Sequence, residues 1–307
     1  MPVDPGVQAL IDGIKATGLP AIGSVSAQQL REAHRAMTSK LPPGRDVHKV
    51  DNLGIPGPAG PIPVRVYWPT PAPKAVIVYF HGGGWTIGSL DAWDAALRRL
   101  ALATGCSVLS VDYRLAPEAP FPAAVEDALA AVRWAGKELE RIAGRRVPLI
   151  VAGDSAGGNL ATVVAQQVRD LGGPAIAGQV LIYPSTDGDI DAPRLQRFVS
   201  PFLAREEIVW FFDQYIPDRA QRVDPRFAPL RAKSLAKLPP ACVLTAENDL
   251  LAEEAELYAE RMKDAGVTVE VKRYPGTIHG FFTMDRGLLP HSGQAMAEIA
   301  MFIRSLL

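Results

Sequence analysis

The segment Gly153-Asp154-Ser155-Ala156-Gly157-Gly158 directly follows the apolar run 147–152 and directly precedes a helix-like stretch over residues 159–170. A serine flanked this way leaves few architectures open. The chain has to reverse tightly between a strand and a helix, and the glycines let the backbone pass where a side chain would collide. Ser155 then stands exposed at the turn, which makes it the candidate nucleophile.

The rest of the chain fits a sheet that supports such a turn. Strand-like apolar runs occur at 64–68, 75–80, 107–111, 148–152, 179–183, 241–246 and 268–274. Helical spacing falls between most of them, at 92–103, 123–139, 159–170, 252–265 and 292–307. This alternation predicts an α/β fold with a mainly parallel sheet covered by helices on both faces, so functional groups belong beyond the carboxyl ends of the strands. Two stretches break the pattern: residues 1–48 are helical without a strand, and residues 185–238 carry Phe198, Phe202, Trp210, Phe211, Phe212 and Phe227 among prolines. That aromatic group reads equally as a satellite core or as a lid over Ser155.

A serine hydroxyl needs an imidazole to take its proton and a carboxylate to orient that imidazole. In α/β-hydrolases these follow in the order serine, acid, histidine. Only His279 and His291 lie downstream of Ser155. His279, reached from the strand 268–274 through Pro275-Gly276-Thr277-Ile278, is the expected general base, and His291 beside Pro290 reads as a solvated surface residue. Asp249 follows the strand 241–246 and precedes a helix, which is the place for the acid. Its bland reading is a helix cap. Glu247 competes with it, Asp187, Asp189 and Asp191 read as solvated, and Asp154 reads as a structural hydrogen-bonding residue. His81-Gly82-Gly83-Gly84-Trp85 follows the strand 75–80. It offers backbone donors for a developing oxyanion from Gly82, Gly83 and Ala156, with Trp85 lining the pocket. Phe281 and Phe282, beside His279, join Trp85 in an expected closed apolar pocket suited to short acyl groups.

Composition narrows the partners. Over 307 residues the formal net charge is −1, with acids and bases interspersed, so no electrostatic footprint for nucleic acid or an anionic membrane is present. Neither Gly-rich stretch continues into Gly-Lys-Ser/Thr, which argues against a phosphate-binding loop. Cys106 and Cys242 each sit in an apolar run and read as buried, unpaired thiols. The first residues lack a secretory pattern and no run reaches membrane-spanning length, which points to a cytoplasmic enzyme.

At these motifs the chain resembles the hormone-sensitive-lipase-like esterases, the bacterial α/β-hydrolases bearing HGGGW and GDSAGG. The likeness continues through Asp112-Tyr113-Arg114-Leu115-Ala116-Pro117-Glu118, Tyr183-Pro184-Ser185-Thr186-Asp187 and Asp224-Pro225-Arg226-Phe227-Ala228-Pro229-Leu230, from about residue 40 to the end. The resemblance implies an eight-stranded sheet and hydrolysis of short to medium acyl esters without cofactor or metal. It assigns Ser155, Asp249 and His279 as the catalytic residues and Gly82, Gly83 and Ala156 as the oxyanion hole. It divides the chain into N-terminal cap helices (1–48), a first core segment (49–184), a cap insertion (185–238) and a second core segment (239–307). It also implies pairing of two copies through the last strand, where residues 267–271 offer an edge.

The chain departs from the family in two places. Asp249-Leu250-Leu251-Ala252-Glu253 replaces the common Asp-Pro-Leu-Arg-Asp, and Trp93 stands where family members often have histidine. A receptor on this fold that has lost the histidine would bind without hydrolysing, whereas His279 is present here. The motifs do not distinguish ester from amide or carbamate substrates. Turnover is expected to fade at acid pH as His279 is protonated.

Overall fold

The computed structural model describes residues 2–40, 44–284 and 289–307. Residues 41–43, within the expected N-terminal cap segment, and 285–288, within the second core segment, lie outside the description.

Eight strands form one sheet: β1 (Lys49–Ile55), β2 (Ile62–Trp68), β3 (Val76–Phe80), β4 (Ser107–Val111), β5 (Leu149–Asp154), β6 (Ile176–Ile182), β7 (Ala241–Asn248) and β8 (Val269–Ile278). Their order is β1-β2-β4-β3-β5-β6-β7-β8. β2 is antiparallel to both β1 and β4, and every pairing from β4 to β8 is parallel. The helices are α1 (Pro5–Ala16), α2 (Ala27–Thr38), α3 (Leu90–Thr104), α4 (Ala123–Lys137), α5 (Leu139–Ala143), α6 (Ala156–Leu171), α7 (Arg205–Tyr215), α8 (Ala252–Asp264), α9 (Phe281–Met284) and α10 (Pro290–Ser305).

The central strands are buried on both faces, which is why they read as continuous apolar runs rather than alternating ones. The period of two still sorts their side chains. Val76, Val78 and Phe80 of β3 pack with Leu160 of α6 and Ala128 of α4, whereas Ile77 and Tyr79 pack with Leu97 of α3 and Ile299 of α10.

Two elements differ from the sequence reading. β1 supplies the eighth strand that the resemblance implies but falls on none of the strand-like runs, because its half-exposed sequence KVDNLGI lacks an apolar period and gains strand geometry by pairing with β2 from Lys49↔Trp68 to Ile55↔Ile62. β8 runs on through Pro275-Gly276-Thr277-Ile278, so these residues are strand rather than loop and His279 follows the strand end directly.

The parallel register aligns the carboxyl ends of the strands. Phe80 pairs with Gly153, Asp154 with Ile182, Ile182 with Leu244, and Asn248 with Ile278. The segments leaving β3, β5, β7 and β8 therefore emerge along one rim of the sheet. α1 is tied to that rim where Asp4 N–H donates to Gly276 O at 2.9 Å. Arg31 of α2 donates to Thr86 O at 3.3 Å and Ala116 O at 3.2 Å and pairs with Glu118. Among the described residues, no helix is long and apolar enough to cross a membrane.

Candidate active site

Ser155 lies between β5 and α6 with φ 54° and ψ −120°, a backbone conformation that a non-glycine residue adopts only when its surroundings enforce it. Enforcement is visible here. Ser155 N–H donates to Ile182 O at 2.8 Å, and α6 packs so tightly that a Cβ on Gly157 would lie 1.9 Å from Phe80 O. Only glycine fits there, and that close approach holds the turn.

The structure brings Ser155, His279 and Asp249 together. Ser155 Oγ lies 2.8 Å from His279 Nε2, and His279 Nδ1 lies 2.7 Å from Asp249 Oδ2. A carboxylate accepts, so Nδ1–H donates to Asp249 and Nε2 is left with the lone pair facing the serine hydroxyl. The Asp249 side chain is fully buried, and its second oxygen takes Leu251 N–H at 2.9 Å. That bond closes the turn leading into α8 rather than capping the helix, whose cap position is Leu251, and the other oxygen holds the imidazole. Glu247, the competitor, instead accepts Gly276 N–H at 2.8 Å and fastens the end of β8. His291 is half-buried in the first turn of α10 rather than solvated in a turn, because the helix starts earlier than expected.

The glycine loop corrects one assignment. Gly82 N–H donates to Asp154 Oδ1 at 3.0 Å and so is not available to an oxyanion. His81 Nδ1–H donates to Gly82 O at 2.7 Å, Thr86 and Ile87 N–H donate to Gly83 O at 3.0 and 2.9 Å, and the Thr86 hydroxyl donates to Gly84 O at 2.9 Å. The loop is thus pinned by Gly82 N–H and its carbonyls, and among the described residues the N–H groups of Gly83 and Gly84 have no hydrogen-bond acceptor. Both glycines have positive φ, 102° and 57°. Ala156, as the first residue of α6, has no carbonyl behind it to receive its N–H. The donors left free are Gly83, Gly84 and Ala156. Gly84 was missed because nothing in the motif tells which glycine a distant aspartate engages.

Asp154 is structural, as expected. Its Oδ1 accepts from Tyr79 Oη–H at 2.8 Å, Trp93 Nε1–H at 2.8 Å and Gly82 N–H. Burial pushes its carboxyl up to about 6, although the three donors pull it down. Trp93 thus braces the residue preceding Ser155. Burial likewise drives His81 down to about 4, its ring being stacked on Tyr113 at 4.4 Å.

Ser155, His279, Gly83, Gly84 and Ala156 open on a cavity of about 480 Å³. Phe202, Leu203, Ile208, Phe211 and Phe212 of the segment after β6 form one wall, and Ile14, Leu19, Ile22, Leu30 and His34 from the N-terminal segment form another. Members of the aromatic cluster both line the cavity and join the core. Phe212 lines the cavity while also packing on Trp85 at 6.1 Å and Phe227 at 4.9 Å. Trp85 reaches the cavity wall, but its ring is stacked on Tyr215 at 4.7 Å and is 1% exposed. Phe281 does not face the cavity. It is fully buried against Tyr183 and Tyr274, and Phe282 is buried too, because α9 turns both rings into the core. Asp187 is also not solvated: Arg194 and Arg231 bind it at 2.8 and 2.6 Å, and it is 6% exposed.

Residues 77–283 match the family described as alpha/beta hydrolase fold. Among curated proteins, the chain is 40% identical over 294 residues to the carboxylic ester hydrolase LipN of Mycobacterium tuberculosis, covering 92% of this chain and 77% of that one. It is 41% identical over 274 residues to the esterase LipI of the same organism, covering 86% and 85%. Among solved structures, the esterase of Pyrobaculum calidifontis superposes with a TM-score of 0.88 at 36% identity, covering 100% of this chain and 99% of that one. On its sheet order, its serine turn and these likenesses, the chain belongs to the α/β-hydrolase family, in the hormone-sensitive-lipase-like esterase branch.

Proposed function

We propose that this protein is a serine carboxylesterase acting on short to medium acyl esters through Ser155, His279 and Asp249. The observation that carries the reading is the continuous hydrogen-bonded series from Ser155 Oγ through His279 to buried Asp249, set beside free backbone donors at the floor of a cavity. His279 Nε2 takes the Ser155 proton as Oγ attacks the ester carbonyl, and the N–H groups of Gly83, Gly84 and Ala156 receive the charge that develops on its oxygen. The same imidazole returns the proton to the departing alcohol. Water, deprotonated by His279, then releases the acid from the acyl-enzyme, while Asp249 holds the ring and stabilises its charged form.

The apolar wall of Leu203, Ile208 and Phe211 supports the short-chain preference, since it bounds the same cavity that Ser155 opens on. We read α1, α2 and residues 185–238 as the cap over the site. Two free, buried cysteines fit the reducing cytoplasm in which we place the enzyme. The outer edge of β8 is the surface we assign to pairing of two copies. Mass spectrometry after exposure to an organophosphate tests the central claim: the adduct is expected on Ser155 and absent from S155A, and labelling elsewhere overturns it.

A further inference from the structure

The cavity has a polar side as well as an apolar one. On the wall built by α2 and α3, the polar side chains are almost all engaged with one another. The Thr38 hydroxyl donates to His34 O at 2.9 Å, and Arg65 pairs with Asp91 at 2.9 Å and Asp94 at 3.3 Å. Asp94 also receives the Tyr67 hydroxyl at 3.0 Å and Arg98 at 2.7 Å. The His34 ring is the exception. It lines the cavity, and among the described residues neither of its nitrogens has a hydrogen-bond partner. Burial lowers its pKa, so at neutral pH it is an uncharged imidazole with one donor and one acceptor.

Its place relative to the reacting atoms is fixed by two links. The Trp93 ring lies 6.4 Å from the His34 ring and donates to Asp154, the residue before Ser155. Thr283 and Met284 of α9 line the same cavity, and α9 is joined to α3 by Arg99, which donates to Phe282 O at 3.3 Å. Since α9 follows His279 directly, this side of the cavity lies with the imidazole that protonates the leaving alcohol. Phe211, on the apolar side, instead abuts the oxyanion loop, where a Cβ on Gly84 would meet its ring at 2.2 Å.

Building on the esterase reading, we propose that His34 is a specificity-determining residue for the leaving group, hydrogen-bonding a second polar group on the alcohol half of the ester. The favoured class is esters of diols and other hydroxylated alcohols over simple alkyl esters. A site with an unpartnered polar group discriminates in this direction, because an alkyl chain leaves that group desolvated and unpaired.

Butanediol monoacetate and pentyl acetate differ by a terminal hydroxyl in place of a methyl group, and their kcat/KM ratio reads the contact. Wild type is expected to favour the diol ester, and H34L to lower that ratio roughly threefold to tenfold, the worth of one neutral hydrogen bond. H34F repeats the measurement with a ring of similar bulk should leucine disturb α2. H34Q, which keeps a donor and an acceptor, is expected to retain part of the preference. Equal ratios in wild type and both apolar variants overturn the proposal. Hydrolysis of p-nitrophenyl acetate by wild type separates the two readings: its absence sinks the esterase assignment, whereas its presence with an unchanged ratio sinks only the role of His34.

Discussion

Trp93 donates its indole N–H to Asp154 at 2.8 Å, on the same carboxylate oxygen that receives Gly82 N–H at 3.0 Å. One oxygen therefore fastens α3, the serine turn and the glycine loop to each other. W93F removes one of its donors and is expected to cost about 1–2 kcal/mol of stability and to lower kcat, since the loop carrying Gly83 and Gly84 loses a support. D154A leaves three buried donors without an acceptor and is expected to cost on the order of 3–5 kcal/mol. Denaturant titration alongside kcat measurement checks both, and wild-type values for D154A would refute the bracing role.

Asp249 holds the imidazole tautomer that lets Nε2 accept a proton. D249N is expected to reduce kcat on the order of 10⁴-fold with the fold intact, because an amide no longer dictates which nitrogen carries the hydrogen. In wild type, kcat/KM is expected to fall toward acid, because a general base has to reach the serine with its lone pair free. A pH–rate profile that stays flat toward acid contradicts the assignment of His279 as base.

The pH dependence of stability has a separate source in His81. Its buried ring is pushed from 6.5 down to about 4, so between these values the unfolded chain takes up a proton that the folded protein refuses. The stability it contributes is present above pH 6.5 and is lost as pH falls toward 4, in total about 3 kcal/mol. Asp154, with its carboxyl raised to about 6, acts in the opposite sense over the lower part of this window. The difference in unfolding free energy between wild type and H81F isolates the histidine: it is expected to change across this window and level off above it.

Phe211 limits the apolar side of the cavity. F211L gives the acyl chain more room there, so the optimum in a p-nitrophenyl ester series is expected to move to longer chains. An unchanged series places the acyl group elsewhere.

How far the sequence alone could be read depended on the range of the interactions involved. Ser155, Asp249 and His279 were legible because each follows a strand, and parallel strands bring their carboxyl ends to one rim. The central strands were legible for a similar reason, since burial on both faces leaves unbroken apolar runs. β1 was not, because pairing with β2 rather than its own side chains makes it a strand. Gly82 was assigned to the oxyanion because the motif presents three equivalent glycines, and only the contact with Asp154, 72 residues away, separates them. Asp187 reads as solvated because nothing in the sequence marks Arg194 and Arg231, 7 and 44 residues on, as its partners, and Phe281 reads as a pocket residue because the turn of α9 that buries it carries no local signal. His34 was passed over since a lone histidine on a helix gives no sign of the cavity it meets.

The serine and its imidazole are separated by 124 residues, and the imidazole hangs from β8, the outermost strand of the parallel end. On the proposed mechanism a nascent chain carries an unactivated Ser155 until that edge has docked. On that mechanism the same geometry makes catalysis a sensitive gauge of damage, since peeling away one border strand would carry off the imidazole and leave the serine without a base.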